Sequence, residues 1–171
     1  MYTPINSRLL GLIIVMSWLT MPNILAQNEG QMDEIIKNVS KARLTKDVTT
    51  LVNFGTRHTL SDTISNVRGI GAARRYIKSE FEKISSDCGG CLDVFYQRTL
   101  VSKGSNERIF SDVWVVNVIA IQRGQSTPND YVIMSGDIDS RISDPNNHID
   151  VAPGANDNAQ GWQVPWKQPG F

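Results

Sequence analysis

Neither sign of charge is in excess in this sequence: 17 Lys and Arg stand against 17 Asp and Glu. Without a basic surplus nothing drives binding along a phosphate backbone, which argues against nucleic acid as a partner. Cysteine is scarce, and two residues are too few for a small domain stapled by disulfides. Histidine is equally scarce, with His58 and His148 alone. No internal repeat is visible, and no apolar run reaches the roughly 20 residues of a membrane-spanning helix. What is present is ordinary globular usage. Hydrophobic residues make up 40% and charged residues 20% of 171 residues, room for one domain and unlike a disordered or low-complexity chain.

The first 26 residues have the order of a secretory signal peptide. Residues 1–8 carry Arg8 and no acid, Leu9 to Leu19 is almost unbrokenly apolar, Pro22 follows, and Ala26 offers a small residue for cleavage. The other reading is an uncleaved membrane anchor, for which the apolar core is short. Cleavage after Ala26 leaves 145 of the 171 residues and takes the formal charge from 0 to −1. A chain of that length can bury a real core.

Helices come first after the cleavage point, then strands. Met32, Ile35, Ile36, Val39 and Ala42 recur at helical spacing and predict a helix over 32–44. Thr45 or Asp47 is a candidate cap for a second short helix that Gly55 ends. Residues 56–69 show no sustained period and read as a loop. Gly69 to Ser86 is the clearest helix, with Ile70, Ala73, Ile77, Phe81 and Ile84 on one face and its basic residues read as solvated surface. Leu92 to Val101 reads as extended, and Val113 to Ile121 as a strand buried on both faces. Tyr131 to Met134 reads as one more short apolar strand. Helices followed by buried strands predict an α/β layered fold.

The chemistry-bearing residues cluster where that last strand would end. Ligands of α/β sheets bind beyond the carboxyl ends of strands, and there stands Ser-Gly-Asp137-Ile-Asp139-Ser-Arg. Alternation sends Asp137 and Asp139 to one side if the strand continues, where two carboxylates call for a cation or a proton. A second segment, Ala152-Pro-Gly-Ala-Asn-Asp157-Asn-Ala-Gln-Gly, is small and glycine-bearing, so its backbone can approach a ligand closely. Acids on two neighbouring loops make an oxygen-rich divalent-metal site one reading. Simple turns are the other.

Four segments also carry a family resemblance: R-G-I-G-A-A-R-R-Y-I from Arg68, V-V-N-V-I-A from Val115, Y-V-I-M-S-G-D-I-D-S-R from Tyr131, and A-P-G-A-N-D-N-A-Q-G from Ala152. From about Leu51 to Gly161 the chain resembles the N-terminal part of a bacterial zinc exopeptidase of the leucyl-aminopeptidase type (metallopeptidase family 28). The resemblance implies helices on a mixed, largely parallel β-sheet and a pair of zinc ions. It implies that Asp137 ligates one zinc, at a position usually held by His, that Asp157 bridges both ions, and that Asp139 orients the first ligand. The implied reaction is hydrolysis of the N-terminal peptide bond of peptides or proteins, with metal-activated water.

The sequence departs from that family pattern in three places. Asp137 replaces the usual His; carboxylate oxygen can ligate zinc, but Asp139 loses the imidazole N–H it would accept. Gln160 stands where the family has a small residue. After Gly161 comes W-Q-V-P-W-K-Q-P-G-F, unlike the family's next helix. With the family's general base and remaining ligands not found, residues 27–161 read as the N-terminal part of a zinc-peptidase-like domain. Residues 162–171 then read as a divergent tail of a truncated or frame-shifted product; a natural short relative is the other reading.

Three features lie outside that pattern. Cys88-Gly-Gly-Cys91 has redox or zinc-knuckle spacing, but a single pair in an exported chain fits a local disulfide better. His148, between the two acidic segments, is read as a solvated loop residue in preference to a substitute ligand. Asn38-Val-Ser40 fits a glycosylation acceptor, relevant only in a eukaryotic secretory host. Two functions remain. One is a secreted or periplasmic zinc aminopeptidase-like protein, here a fragment inactive by itself that holds zinc weakly or not at all. The other is a non-enzymatic exported module on the same scaffold. Neither has a stable membrane span after cleavage, and the oligomeric state is open.

Overall fold

The computed structural model describes residues 29–159. The signal-like segment 1–26, Gln160 and the tail 162–171 lie outside the described residues. The chain divides at Asn38 into two units. The first contributes helix α1, Glu29–Asn38.

The second unit opens with helix α2, Lys41–Asn53. The break between these helices falls at Val39-Ser40, earlier than the sequence pattern suggests. The Ser40 side chain accepts the Arg43 N–H at 3.3 Å, satisfying one of the donors a helix start leaves open. Thr45 and Asp47, the expected caps, are helix interior, and buried Asp47 turns to the Tyr76 hydroxyl instead. Gly55 ends the helix as expected, at φ +76°, a conformation open to glycine at little cost.

Helix α3 spans Gly69–Asp87 and buries Ile70, Ala73, Ile77 and Phe81. Those four residues follow the apolar stripe of the sequence, each worth up to about 1.5–3 kcal/mol for its larger side chains. The basic residues are less uniformly solvated than expected. Arg74 is buried, and Arg75 donates to the carbonyls of Thr63, Ile64 and Ser65, pinning the loop before α3. Cys88 and Cys91 form a disulfide with Cα atoms 5.6 Å apart, as their spacing suggested. It closes the turn into strand β1, Leu92–Val101.

Strand β2, Val113–Gln122, returns antiparallel to β1, with register from Leu92↔Gln122 to Val101↔Val113. The α/β character therefore stands; the one strand pair among the described residues is antiparallel, and the parallel part of the expected mixed sheet is not seen among them. β2 is also only half-buried, and Trp114 and Asn117 are exposed. Tyr131–Met134 forms no strand. Tyr131, Val132 and Ile133 are 83–90% exposed, and no neighbour among the described residues supplies the ladder that defines a strand.

The core gathers Leu51 of α2 and Ala73, Ile77 and Phe81 of α3 with Ala159; Val94, Val118 and Ile138 pack against it. Ala159 closes a five-residue π-turn, Ala155–Ala159. Burial of Ala159 and Ile138 ties both acid-bearing loops to the helices. No helix among the described residues is long and apolar enough to cross a membrane.

Candidate functional site

The site is organised from the loop that follows α2. Arg57 is completely buried, and its guanidinium donates to four carbonyls. Nε reaches Ile138 O at 2.8 Å, Nη1 reaches Leu51 O at 2.9 Å and Pro153 O at 2.8 Å, and Nη2 reaches Gly154 O at 2.9 Å. The planar fork holds the end of α2, the Asp137–Asp139 segment and the start of the Asp157 loop in one geometry. Burial pulls the Arg57 pKa below its ordinary value, and the Asp139 carboxylate opposes that fall.

Ser140 repeats the link. Its hydroxyl accepts the Arg57 N–H at 3.0 Å and donates to Ala152 O at 2.7 Å. Ala152 N–H in turn donates to Gly55 O at 2.8 Å. Gly154 sits at φ +50°, and a Cβ there would lie 2.5 Å from Asp157 O, 2.6 Å from Ser140 Cβ and 2.9 Å from Arg57 Nη2. The close backbone approach expected of this glycine-bearing segment is thus made to the protein itself. The Ala159 N–H donates to Gly154 O at 2.9 Å and closes the turn that presents Asp157.

Asp137, Asp139 and Asp157 line one cavity of about 470 Å³, together with His58 and Arg141. Residues 20 apart in sequence are therefore brought to a shared space. His58 does not add a metal ligand in this arrangement. Its Nδ1 accepts the Leu60 N–H at 3.1 Å, so the proton lies on Nε2, which donates to Pro145 O at 3.0 Å. Both ring nitrogens are engaged. His148 is half-buried, not fully solvated, with its ring centroid 5.2 Å from Phe110 and 6.3 Å from His58.

Whether these residues suit zinc can be tested directly. Among the described residues no three His, Cys, Asp or Glu come together to hold a metal ion. Asp137 and Asp157 supply two carboxylates, short of the three protein ligands a catalytic zinc takes. The described residues by themselves do not complete a zinc site.

Sequence reasoning singled out the three aspartates that line this cavity and missed Arg57, Ser140 and His58 around them. Thr-Arg-His directly after a helix-ending glycine is the one local hint. The Arg57 side-chain partners on the acidic loops lie 81–97 residues away.

No family model matches the chain, and no solved structure matches it. The chain is similar to proteins named probable zinc metalloprotease from fungi. It is 41% identical over 136 residues to one from Pyrenophora teres f. teres (strain 0-1), covering 80% of this chain and 28% of that protein. It is 38% identical over 136 residues to one from Leptosphaeria maculans, covering 80% of this chain and 31% of the relative. A third, from Pyricularia oryzae, is 38% identical over 133 residues, covering 78% and 26%. The chain thus spans less than a third of the length of these curated relatives.

Proposed function

We propose that this chain carries the N-terminal part of an exported zinc aminopeptidase, a hydrolase acting on the N-terminal bond of peptides or proteins. The carrying observation is the Arg57 clamp, which sets Asp137, Asp139 and Asp157 around one cavity. The similarity to probable zinc metalloproteases supports the metal and the reaction class. In this reading Asp137 and Asp157 are metal-facing carboxylates and Asp139 is an orienting residue beside Arg57. The intact enzyme holds two zinc ions. This chain, with two carboxylates, binds zinc weakly or not at all, and no hydrolytic step is assigned to it by itself.

Zinc content and activity of the purified protein test this reading. After dialysis we expect less than one equivalent of zinc and no release of chromophore from leucyl-p-nitroanilide with zinc added. Turnover abolished by a chelator and by Asp157→Ala would show a complete site and overturn the assignment of inactivity. Zinc binding that is weak but lost in Asp137→Ala and Asp157→Ala supports the peptidase reading. Binding indifferent to both substitutions favours the second reading, a non-enzymatic module.

Export is the other part of the proposal. The Cys88–Cys91 disulfide supports an oxidising compartment, secreted or periplasmic. Sequencing of the exported protein should begin at Gln27; a mature protein that retains Met1 would refute cleavage.

A further inference from the structure

Asn38-Val39-Ser40 is the sole Asn-X-Ser/Thr tripeptide of this sequence, and the proposed hydrolase makes no use of it. Transfer of a glycan to asparagine needs that tripeptide, with X not Pro, on a surface segment of an exported chain. It also needs the hydroxyl two residues on to swing toward the Asn amide. Inside a helix, residues two apart do not face each other. The helix that the sequence pattern predicts over 32–44 would therefore hold the two side chains apart.

The structure breaks the helix at the tripeptide itself. Asn38 is the last residue of α1, Val39 and Ser40 belong to no helix, and α2 starts at Lys41. Ser40 has extended backbone, with φ −84° and ψ 104°, and breaks of this kind let Asn and Ser side chains bond locally. Lys37, Asn38, Val39 and Ser40 are all exposed. A glycan is bulky and hydrated, so it requires a side chain that meets solvent. The tripeptide also lies where the chain divides into its two units, ahead of Val48 and Leu51, where α2 enters the core.

We propose that Asn38 is an N-glycosylation site, modified in the secretory pathway of a eukaryotic cell. The inference rests on the export proposed above, and not on metal at the aspartates. The relatives described above are fungal. A fungal secretory route supplies both the transferase and the oxidising compartment that the Cys88–Cys91 disulfide supports. In the transfer, Asn38 Nδ2 bonds to C1 of the first sugar of a lipid pyrophosphate-linked oligosaccharide. The C1–O bond to pyrophosphate breaks, the lipid pyrophosphate leaves with that electron pair, and Nδ2 loses one proton to solvent. No atom is oxidised or reduced.

The full chain, secreted from a fungal host with its own residues 1–26, tests it. Peptide-N-glycosidase should lower the mass of the secreted protein and convert Asn38 to Asp, which peptide mass spectrometry locates. Asn38→Gln and Ser40→Ala should each abolish that mass loss. Ser40→Thr keeps a hydroxyl and a competent helix cap and should retain it. Secreted protein with Asn38 unmodified, or a glycan that persists in Asn38→Gln, overturns the inference and leaves export standing. If the chain is not secreted, a leader of the host replaces residues 1–26. A glycan on Asn38 then supports the site although the chain's own leader has failed, and an unmodified Asn38 overturns the site.

Discussion

Replacing Arg57 by Met removes the donors to four carbonyls and leaves Asp139 without its neighbouring cation. Loss of a buried charged network of this kind costs about 3–5 kcal/mol, which urea unfolding of Arg57→Met against wild type should show. Gly154→Ala is strained for a different reason. Its φ of +50° and contacts of 2.5–2.9 Å leave no room for a methyl group, so a loss of about 1–3 kcal/mol is expected by the same assay. Asp62 gives a pH-dependent case. Its carboxylate accepts the backbone N–H groups of Ser65 and Ile64, and these bonds hold its pKa below the ordinary value. A carboxyl lowered on folding stabilises above its unfolded pKa and loses that contribution as pH falls through the folded one. The difference in melting temperature between wild type and Asp62→Asn should therefore shrink as pH is lowered from neutral to about 3. At this scale the grouping of Asp137, Asp139 and Asp157 around one cavity was legible, because acids in one Ser-Gly-Asp segment and in a small-residue loop stand out locally. The buried arginine was not, because an arginine in an aperiodic loop looks the same whether solvated or enclosed.

Between elements, α2 and α3 are joined by the Tyr76 hydroxyl donating to Asp47 at 2.5 Å, with Phe54 edge-on to the Tyr76 ring. Burial raises the Tyr76 pKa, so the phenol remains a donor. Tyr76→Phe removes a hydrogen bond to buried Asp47 and should cost about 1–3 kcal/mol, read from chemical unfolding. The disulfide at the junction of α3 and β1 spans only four residues, so its reduction should cost about 2 kcal/mol on loop entropy, checked by unfolding with and without reductant. Tyr131–Met134 is an exposed apolar segment, the kind that seeds association between chains. Ile133→Lys should lower light scattering on concentration without altering the far-UV spectrum. The apolar stripe of α3 and the extents of β1 and β2 were readable from spacing, since local periodicity is set by which face each element buries. The break at Ser40 was not, because Ser40, Thr45 and Asp47 are all competent caps and the Tyr76 contact, 29 residues on, takes Asp47 out of contention. Nor was the state of Tyr131–Met134, because a strand depends on its neighbours as much as on its own residues.

Across the whole molecule, the α/β class was legible from the order of helical and extended segments, whereas the direction of strand pairing was not. Apolar content says how deeply a strand is buried, and β2, rich in Val and Ile, carries that signal without saying which neighbour it meets. The three carbonyls on the acidic loops that Arg57 holds are separated from it by 81–97 residues, and that separation has a meaning in time. During synthesis at about 5–20 residues per second, Arg57 leaves the ribosome about 5–20 s before Gly154 exists to receive it. Until then α2 and α3 can pack, since their partners are close in sequence, but the guanidinium has nothing to hold on the acidic side. Closing so long a loop costs entropy before any bond repays it. Among the described residues, the aspartate loops are therefore expected to assemble after α2 and α3. In pulse-labelling hydrogen exchange during refolding, the amides of Ser140, Ala152 and Ala159 should gain protection after those of α3.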